Sequence, residues 1–242
     1  MQKYTKCYLF VFSLIVAVAM IGCKDEDSPT TPAQKPTSPQ ISFSGPNTQS
    51  DNQYANQAKA SAQSFNSQGE LFKAFAQLPG TQNGNVWTYS FTANGLTETI
   101  TSELLSNGSY RWKIVFDGLY EDDDTTITVQ HWTAFEGTTT ADGKTGSWVV
   151  YEYNSTVKQG ELIWASDASG NETGTFITYT HGVAEKKLEV VNNVNGTGKL
   201  IYYQTGATGP MYKYLEISWL ADGTGTYQIY KVDGSPDISG TF

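Results

Sequence analysis

From residue 86 to the C-terminus the chain alternates apolar and polar positions in short runs, which is the pattern of β-strands. Runs rich in Thr, Val, Ile, Tyr, Trp and Phe are separated by Asn-Gly or Asp-Gly pairs that begin at positions 83, 94, 107, 117, 142, 195, 222 and 233. Such pairs tolerate the positive φ angles of tight hairpin turns. The pattern predicts an all-β domain over residues 81–242, an antiparallel up-and-down meander of about eleven strands that forms a barrel or a curled sheet.

One phrase recurs inside this region, a glycine followed by apolar residues two and four places later. Full copies begin at Gly108, Gly146, Gly160, Gly198 and Gly225, and shorter ones at Gly174 and Gly240. Because side chains alternate between the two faces of a strand, the apolar residues of the phrase share one face, which we predict to be the core. The segment that begins at Gly198 is similar to a membrane-occupation repeat, although the period of those repeats is fixed and shorter.

The other face of the later strands carries large side chains where a solvated face would carry Thr, Lys and Glu. They are Tyr151, Tyr153, Ile177, Tyr179, His181, Ile201, Tyr203, Tyr230 and Val232. A helix, closure of the sheet or a ligand could cover them. Tyrosine suits sugars, peptides and protein surfaces, because it combines a flat apolar ring with a polar tip.

We therefore take six residues of this face as candidate ligand-binding residues: Tyr151, Tyr153, Tyr179, His181, Tyr203 and Tyr230. The alternative is that the tyrosines are ordinary strand residues that screen the sheet, since tyrosine is a good strand former.

Between residues 51 and 78 the apolar period changes from two to between three and four. Seven residues form one stripe at this spacing: Tyr54, Ala58, Ala62, Phe65, Gly69, Phe72 and Ala76. The stripe predicts an amphipathic helix within residues 51–80, with Asp51 as its N-cap and Pro79-Gly80 as its stop signal. We expect this helix to pack on the sheet, because it is weak in isolation. The alternative is that only residues 68–78 dock and the first half stays disordered.

The chain begins with Lys3 and Lys6 and continues with an apolar run to Ile21, the order of a secretory signal. This run is shorter than the roughly 20 residues that a membrane-spanning helix needs. Met20-Ile21-Gly22-Cys23 resembles the lipobox of bacterial lipoproteins, which more often has Leu in place of Met20. The resemblance implies that residues 1–22 are removed as a signal peptide and that acyl chains on Cys23 anchor the protein in a membrane. The alternative is an ordinary cysteine at a non-lipid cleavage site.

Lys24-Asp25-Glu26-Asp27 is similar to the tag that exports lipoproteins of the Bacteroidota across the outer membrane. The resemblance implies that the protein is held at the outer membrane and faces the cell exterior. The alternative is the solvated start of a spacer. Residues 28–52 are dominated by Ser, Thr, Pro, Gln and Asn. Such a composition buries too little surface to offset the entropy of ordering, and it predicts a disordered tether over residues 23–50.

Charge and cysteine content narrow the possible partners. Without residues 1–22 the chain has 13 basic and 24 acidic residues, for a net charge of −11. An acidic surface repels phosphate backbones, so we expect no nucleic-acid partner. Cys23 is then the remaining cysteine, so no intramolecular disulfide is expected.

The sequence offers little for catalysis or for metal binding. The acidic run 121–124 lacks the regular spacing and the glycine of a known calcium loop, so we interpret it as a solvated hairpin rather than a calcium site. His131 and His181 are far apart in sequence, and no serine-nucleophile elbow occurs. Glycosidases require only two carboxylates that the fold brings together. The candidates for such a pair are Glu152, Glu161, Glu189 and Glu216.

The favoured interpretation is a lipid-anchored, non-catalytic β-domain without a cofactor or metal. It binds a glycan, peptide or protein ligand, or serves the cell envelope. A surface polysaccharide hydrolase is one alternative. A lipid-carrying half-barrel of the kind found in lipoprotein transport is another, on architectural grounds alone.

Overall fold

A computed structural model describes residues 35–77, 80–93, 95–122, 125–206 and 209–242. One helix precedes thirteen antiparallel strands, and each strand pairs with its neighbours in sequence. The predicted all-β meander is therefore confirmed. The structure has more strands than the predicted eleven. The first, Thr81–Asn83, is too short to show an alternation of apolar and polar residues.

The helix, α1, spans Gln53–Gln77. The strands are β1 (Thr81–Asn83), β2 (Val86–Ala93), β3 (Leu96–Leu104), β4 (Tyr110–Asp122), β5 (Thr125–Thr139), β6 (Thr145–Tyr151), β7 (Lys158–Ser166), β8 (Glu172–Thr180), β9 (Val183–Asn192), β10 (Gly198–Thr205), β11 (Met211–Trp219), β12 (Gly225–Tyr230) and β13 (Pro236–Thr241). Within the described residues β1 and β13 each have a single neighbour, so the sheet is open. The predicted alternative of a closed barrel is wrong.

The glycine phrase marks the core face, as predicted. Trp148 and Trp164 stack with ring centroids 5.6 Å apart on this face, and both are buried. Gly146 pairs with Trp164 and Gly198 with Trp219 on neighbouring strands. A Cβ atom on either glycine would overlap the ring of its partner. These glycines therefore let flat aromatic side chains lie directly on the backbone of the sheet.

Most of the Asn-Gly and Asp-Gly pairs lie in turns between strands, with positive φ at the glycine. Asp117-Gly118 is an exception, because it lies inside β4 at an irregularity in the pairing with β5. Gly118 has a φ of 125°, and a side chain there would collide with the carbonyl of Gly95. At this position the dipeptide makes a bulge rather than a hairpin.

The helix α1 lies on the core face. Ala58, Ala62 and Phe65 of the predicted stripe are buried, and Tyr54 stacks on Tyr227 of β12 at 4.0 Å between centroids. The alternative of a disordered first half is wrong, since Ala58 packs against the second core cluster.

The cap of α1 is Asn52, whose Oδ1 accepts a hydrogen bond from the amide of Tyr54 at 2.9 Å. This corrects the prediction of Asp51, whose carboxylate makes no such bond in the described part of the chain.

Residues 35–50 contain no helix or strand, yet they belong to the folded body. Ile41 and Phe43 are 4% and 5% exposed and join the main core cluster. The amide of Asn66 in α1 bonds both backbone groups of Phe43, accepting at 2.7 Å and donating at 2.8 Å. The predicted disorder of the tether is therefore wrong for this stretch, where two apolar side chains fix an otherwise polar segment.

The predicted signal peptide, Cys23 and the export tag lie outside the described residues. In the part of the chain that the structure describes, no helix combines the length and the apolar character needed to cross a membrane.

Candidate ligand-binding face

Four of the six candidate residues lie on the sheet surface opposite the core, which we call the tyrosine face. Tyr151, Tyr179, Tyr203 and Tyr230 come from β6, β8, β10 and β12, the second strands of four successive hairpins. Each of these side chains is half-buried. The helix packs on the other surface of the sheet, so it does not cover them.

Two candidates do not belong to this face. Tyr153 follows the end of β6, where alternation stops, and its ring packs edge-on against Trp132 at 5.3 Å, beside the core. His181 occupies the tight turn between β8 and β9 with a φ of 50°, and its side chain is 89% exposed. The prediction that they share a face with the other tyrosines is wrong, because it extended strand alternation past the strand ends.

In hairpin β9–β10 the tyrosine is part of a triad with a lysine and a glutamate. The hydroxyl of Tyr203 donates to Glu189 Oε2 at 2.9 Å, and Lys187 Nζ pairs with Glu189 Oε1 at 2.8 Å. The same ammonium lies 3.9 Å from the centroid of the Tyr203 ring. A cation at this distance is attracted by the negative face of the ring, so each member of the triad contacts the other two.

Hairpin β7–β8 repeats this arrangement. The hydroxyl of Tyr179 donates to Glu161 Oε2 at 2.7 Å. Lys158 pairs with the same oxygen at 3.3 Å, and its ammonium lies 5.9 Å from the centroid of the Tyr179 ring. Burial, followed by the hydrogen bond to the carboxylate and its negative charge, raises the pKa of Tyr179 to about 12. The hydroxyl therefore keeps its proton and remains a donor at neutral pH.

Hairpin β11–β12 has the same lysine in a slightly different arrangement. Lys213 Nζ pairs with Glu216 Oε2 at 2.8 Å and lies 4.1 Å from the centroid of the Tyr230 ring. Lys199 pairs with the second oxygen of Glu216 at 3.0 Å. Burial acts to raise the pKa of Glu216, but the hydrogen bonds from the two lysines outweigh it and the pKa is lowered. Here too the aromatic ring is covered by a cation of the chain itself.

Hairpin β5–β6 keeps the tyrosine and the glutamate but lacks the lysine. The hydroxyl of Tyr151 donates to Glu136 Oε1 at 2.6 Å. In β7 and β11 the lysine precedes the glutamate by three residues. The residue three places before Glu136 is Thr133. The hairpin therefore presents a tyrosine–glutamate pair without the ammonium that covers the other three rings.

This incomplete hairpin borders an open depression of about 960 Å³. It is lined by Thr128, Gln130, His131, Trp132, Thr133, Glu136, Tyr151, Asn154, Ser155 and Thr156. The Tyr151 ring, the Glu136 carboxylate, two amides and several hydroxyls meet at this concave surface. The Trp132 ring packs against Phe116 and Tyr153 beside the core. Ligand sites combine aromatic side chains with a few polar groups in this way, and their volumes reach about 1,000 Å³.

The depression exists because β5 runs beyond β6. β5 pairs with β4 over almost its whole length, but it pairs with β6 only at Phe135–Thr139. The chain after β6 no longer pairs with β5 beyond that point. Two side chains of this segment still contact the edge of β5, because Tyr153 Oη and Asn154 Nδ2 donate to the Thr128 carbonyl at 3.1 and 3.2 Å.

At the rim of the depression His131 is held by Asp117. Its Nδ1 lies 3.2 Å from Asp117 Oδ2, and its backbone amide donates to Asp117 Oδ1 at 3.2 Å. The hydrogen bond from this backbone amide is the main cause of the lowered pKa of Asp117. The contact fixes His131 at a φ of 44° and shapes the rim.

Sequence reasoning found the tyrosines but missed their partners and the depression. The glutamates recur 25 to 28 residues apart at positions 136, 161, 189 and 216. That spacing could have shown the repeat, together with the lysines two or three residues before the last three glutamates. Only an alignment of the four hairpins on their glutamates shows that Thr133 occupies the position where the other hairpins have a lysine.

The remaining chemical candidates are dispersed. Glu152 accepts a hydrogen bond from the backbone amide of His181 at 3.1 Å, whereas Glu161, Glu189 and Glu216 belong to the triads. Within the described residues no three His, Cys, Asp or Glu side chains come together as metal ligands. Asp123 and Asp124 of the acidic run lie outside those residues.

The geometry defines a class of protein, an open antiparallel meander with a helix on one face and an aromatic, polar depression on the other. The sequence matches no protein-family model and no curated protein.

Proposed function

We propose that this protein is a lipid-anchored cell-surface lipoprotein whose β-domain binds a ligand or partner without catalysis. The depression beside Tyr151 and Glu136 carries the proposal. It is concave and holds the Tyr151 ring next to hydrogen-bonding groups, whereas in the other three hairpins the place over the tyrosine ring is taken by a lysine.

The anchoring part of the proposal is supported by the sequence. An apolar signal ends at a lipobox-like Cys23, and the residues after it are similar to an export tag. Lipidation there would hold the folded body at the outer membrane, facing the exterior. The residues after Cys23 would then connect the acyl chains to the folded body, which Ile41 and Phe43 join.

The depression gives a direct test of binding. An array of glycans, peptides and proteins is probed with the chain from residue 24 onward, which keeps every described contact. We expect the wild-type chain to bind a set of ligands that the Thr133→Lys variant does not bind, since the new lysine recreates the triad and covers the Tyr151 ring. The matched control is Lys187→Thr, which removes the lysine from another hairpin and leaves the depression unchanged.

Equal binding by wild type and Thr133→Lys would contradict the proposal, as would an array on which the wild-type chain binds nothing. Thermal unfolding confirms that the variants are folded. We expect Thr133→Lys to unfold within a few degrees of the wild type, because exposed ion pairs contribute about 0 to 1 kcal/mol.

A further inference from the structure

We propose that the depression binds the ammonium group of a lysine side chain presented by a partner polypeptide, next to Tyr151 and Glu136. This inference rests on the proposed function and names the chemistry of its ligand. The chain itself supplies the precedent, because in three hairpins of the same sheet the space over the tyrosine ring is occupied by a lysine ammonium.

The closest precedent is the triad in β9–β10. Glu189 lies opposite Ile201 in the strand pairing, and Tyr203 lies two residues beyond it, opposite Lys187. In β5–β6 the corresponding pairing joins Glu136 to Val149, and Tyr151 again lies two residues beyond. The carboxylate and the phenol therefore occupy equivalent positions, while the position of the ammonium is open.

No described lysine takes the vacant position. Lys158 lies opposite Tyr151 across β6 and β7, but its ammonium is already paired with Glu161 in the next hairpin. Lys113 lies opposite Glu136 across β4 and β5, but its side chain is exposed and makes no ion pair with Glu136. Glu136 is thus the one glutamate of the four without a cationic partner among the described residues.

The other groups around the depression favour a cation over an anion. Its lining contains one carboxylate and no lysine or arginine, and His131 at the rim is paired with Asp117. The phenol ring of Tyr151 presents a negative face to a cation. An anionic ligand would meet the charge of Glu136 without a compensating group.

A polypeptide is favoured over a free amine because the depression runs along an unpaired strand edge. On the side away from β4, the backbone of residues 129–133 has no neighbouring strand. An extended peptide can add to such an edge through backbone hydrogen bonds while its side chains fill adjacent pockets. The volume of about 960 Å³ is also far more than one ammonium needs.

The test is a titration of the isotope-labelled chain from residue 24 onward, followed by amide NMR shifts. The probes are the capped pentapeptide Thr-Val-Lys-Val-Thr, its norleucine counterpart, its arginine counterpart and n-butylamine. Norleucine keeps the alkyl chain of lysine and removes only the ammonium. We expect saturable shifts around residues 130–136 and 151–156 with the lysine peptide, binding at least about tenfold weaker with norleucine, and retained binding with arginine, whose guanidinium also pairs with a carboxylate.

Two variants and a control locate the interaction. Glu136→Gln keeps the shape and loses the charge, so we expect about a tenfold weaker affinity for the lysine peptide. Thr133→Lys supplies the ammonium internally, and we expect no binding. Lys187→Thr should show the same shifts around residues 130–136 and 151–156 as the wild type, because it leaves the depression unchanged.

Equal binding of the lysine and norleucine peptides would overturn the inference, as would full binding by Thr133→Lys. Butylamine that binds as tightly as the peptide would overturn the choice of a polypeptide. If array ligands depend on Thr133 but contain no lysine, the inference fails while the proposed function stands. If no ligand depends on the depression, both fail.

Discussion

Glu98 is a carboxyl group in the core of the sheet. It lies on the same face of β3 as Leu96 and Ile100, between Phe91 and Phe116 of the neighbouring strands, and is 2% exposed. No described residue forms a hydrogen bond with either of its carboxyl oxygens. Burial raises the pKa of Glu98 from 4.5 to about 8. The folded protein therefore holds this proton at neutral pH, whereas the unfolded chain has released it.

We expect Glu98→Gln to stabilise the protein at neutral pH and to leave its stability unchanged in acid. Because the pKa is raised in the folded state, the wild type is most stable relative to the variant below pH 4.5 and loses stability as pH rises toward 8. Between pH 4.5 and 7 the free energy of unfolding of the wild type falls by about 3 kcal/mol relative to that of the variant. Denaturant unfolding of both proteins between pH 4 and 8 measures the difference in unfolding free energy.

Glu103→Gln, on a half-buried residue of the same strand, is the control for Glu98→Gln. A pH-independent difference for Glu98→Gln would show that the carboxyl of Glu98 is ionised in the folded protein.

Gly198 and Gly160 begin two copies of the same phrase but have different surroundings. A Cβ at Gly198 would overlap the ring of Trp219, whereas at Gly160 the nearest atom is Val150 Cβ at 3.7 Å. We expect Gly198→Ala to lower the free energy of unfolding by about 2 kcal/mol or more, since overpacking in a core costs about 1 to 3 kcal/mol. Gly160→Ala should be neutral or slightly stabilising. Similar losses in denaturant unfolding would refute the explanation by ring packing.

At the residue scale, the alternation of apolar and polar positions could have predicted one further feature, the burial of Glu98. The alternating run from Leu96 to Ile100 places Glu98 on the core face, so its burial was predictable. Its missing partner was not, because that depends on the strands on both sides. Thr133 was not recognised because it is defined only by its place in the repeat: the lysines of β7 and β11 lie three residues before their glutamates, as Thr133 does before Glu136.

At the element scale, residues 35–50 act as a strap between α1 and the sheet. Phe43 packs edge-on against Phe65 at 5.1 Å, and Asn192 of β9 donates to Ser44 Oγ at 3.0 Å. The segment adds apolar contacts to both sides of the core. A chain shortened to begin within α1 would lose these contacts.

We expect Asn66→Ala to destabilise the protein by about 2 kcal/mol, because the variant removes two hydrogen bonds to the backbone of Phe43 and each contributes about 1 kcal/mol. Gln63→Ala, an exposed position of the same helix, controls for the gain in helix propensity. The midpoint and slope of urea unfolding report the change. Equal stability of the two variants would mean that the segment is not held by Asn66.

The elements themselves were largely predictable. Asn-Gly and Asp-Gly pairs marked most hairpin turns, and the helical stripe located α1 within a few residues of its ends. The strap was missed because its overall composition is polar. Its order depends on only two apolar side chains, Ile41 and Phe43, which pack into the core. The triads were missed because they join side chains of different strands.

At the scale of the whole molecule, the proposal requires a lipid on Cys23. We expect radiolabelled palmitate to enter the natural protein and to be absent from a Cys23→Ala variant, because that variant has no acceptor at the lipobox-like site. The purified mature protein should begin at residue 23. Equal labelling of the variant, or release of the natural protein from membranes by salt alone, would contradict lipid anchoring.

The sequence was sufficient to predict an antiparallel meander, but not whether the sheet closes into a barrel. Consecutive hairpins imply a meander, and the structure has one. Whether the first and last strands meet depends on twist and on what covers the sheet, and neither can be derived from a pattern of period two. The helix and the strap cover the core face, and among the described residues no helix or strand covers the tyrosine face.

We propose that ligands bind where β5 extends beyond β6. Hydrogen–deuterium exchange of the chain from residue 24 onward, with and without the strongest ligand from the array, tests it most directly. We expect the ligand to slow exchange at residues 128–136 and 151–156 and to leave the other hairpins unchanged. Protection confined to α1, or to the turn at His181 and the hairpins around Tyr179 and Tyr203, would contradict it.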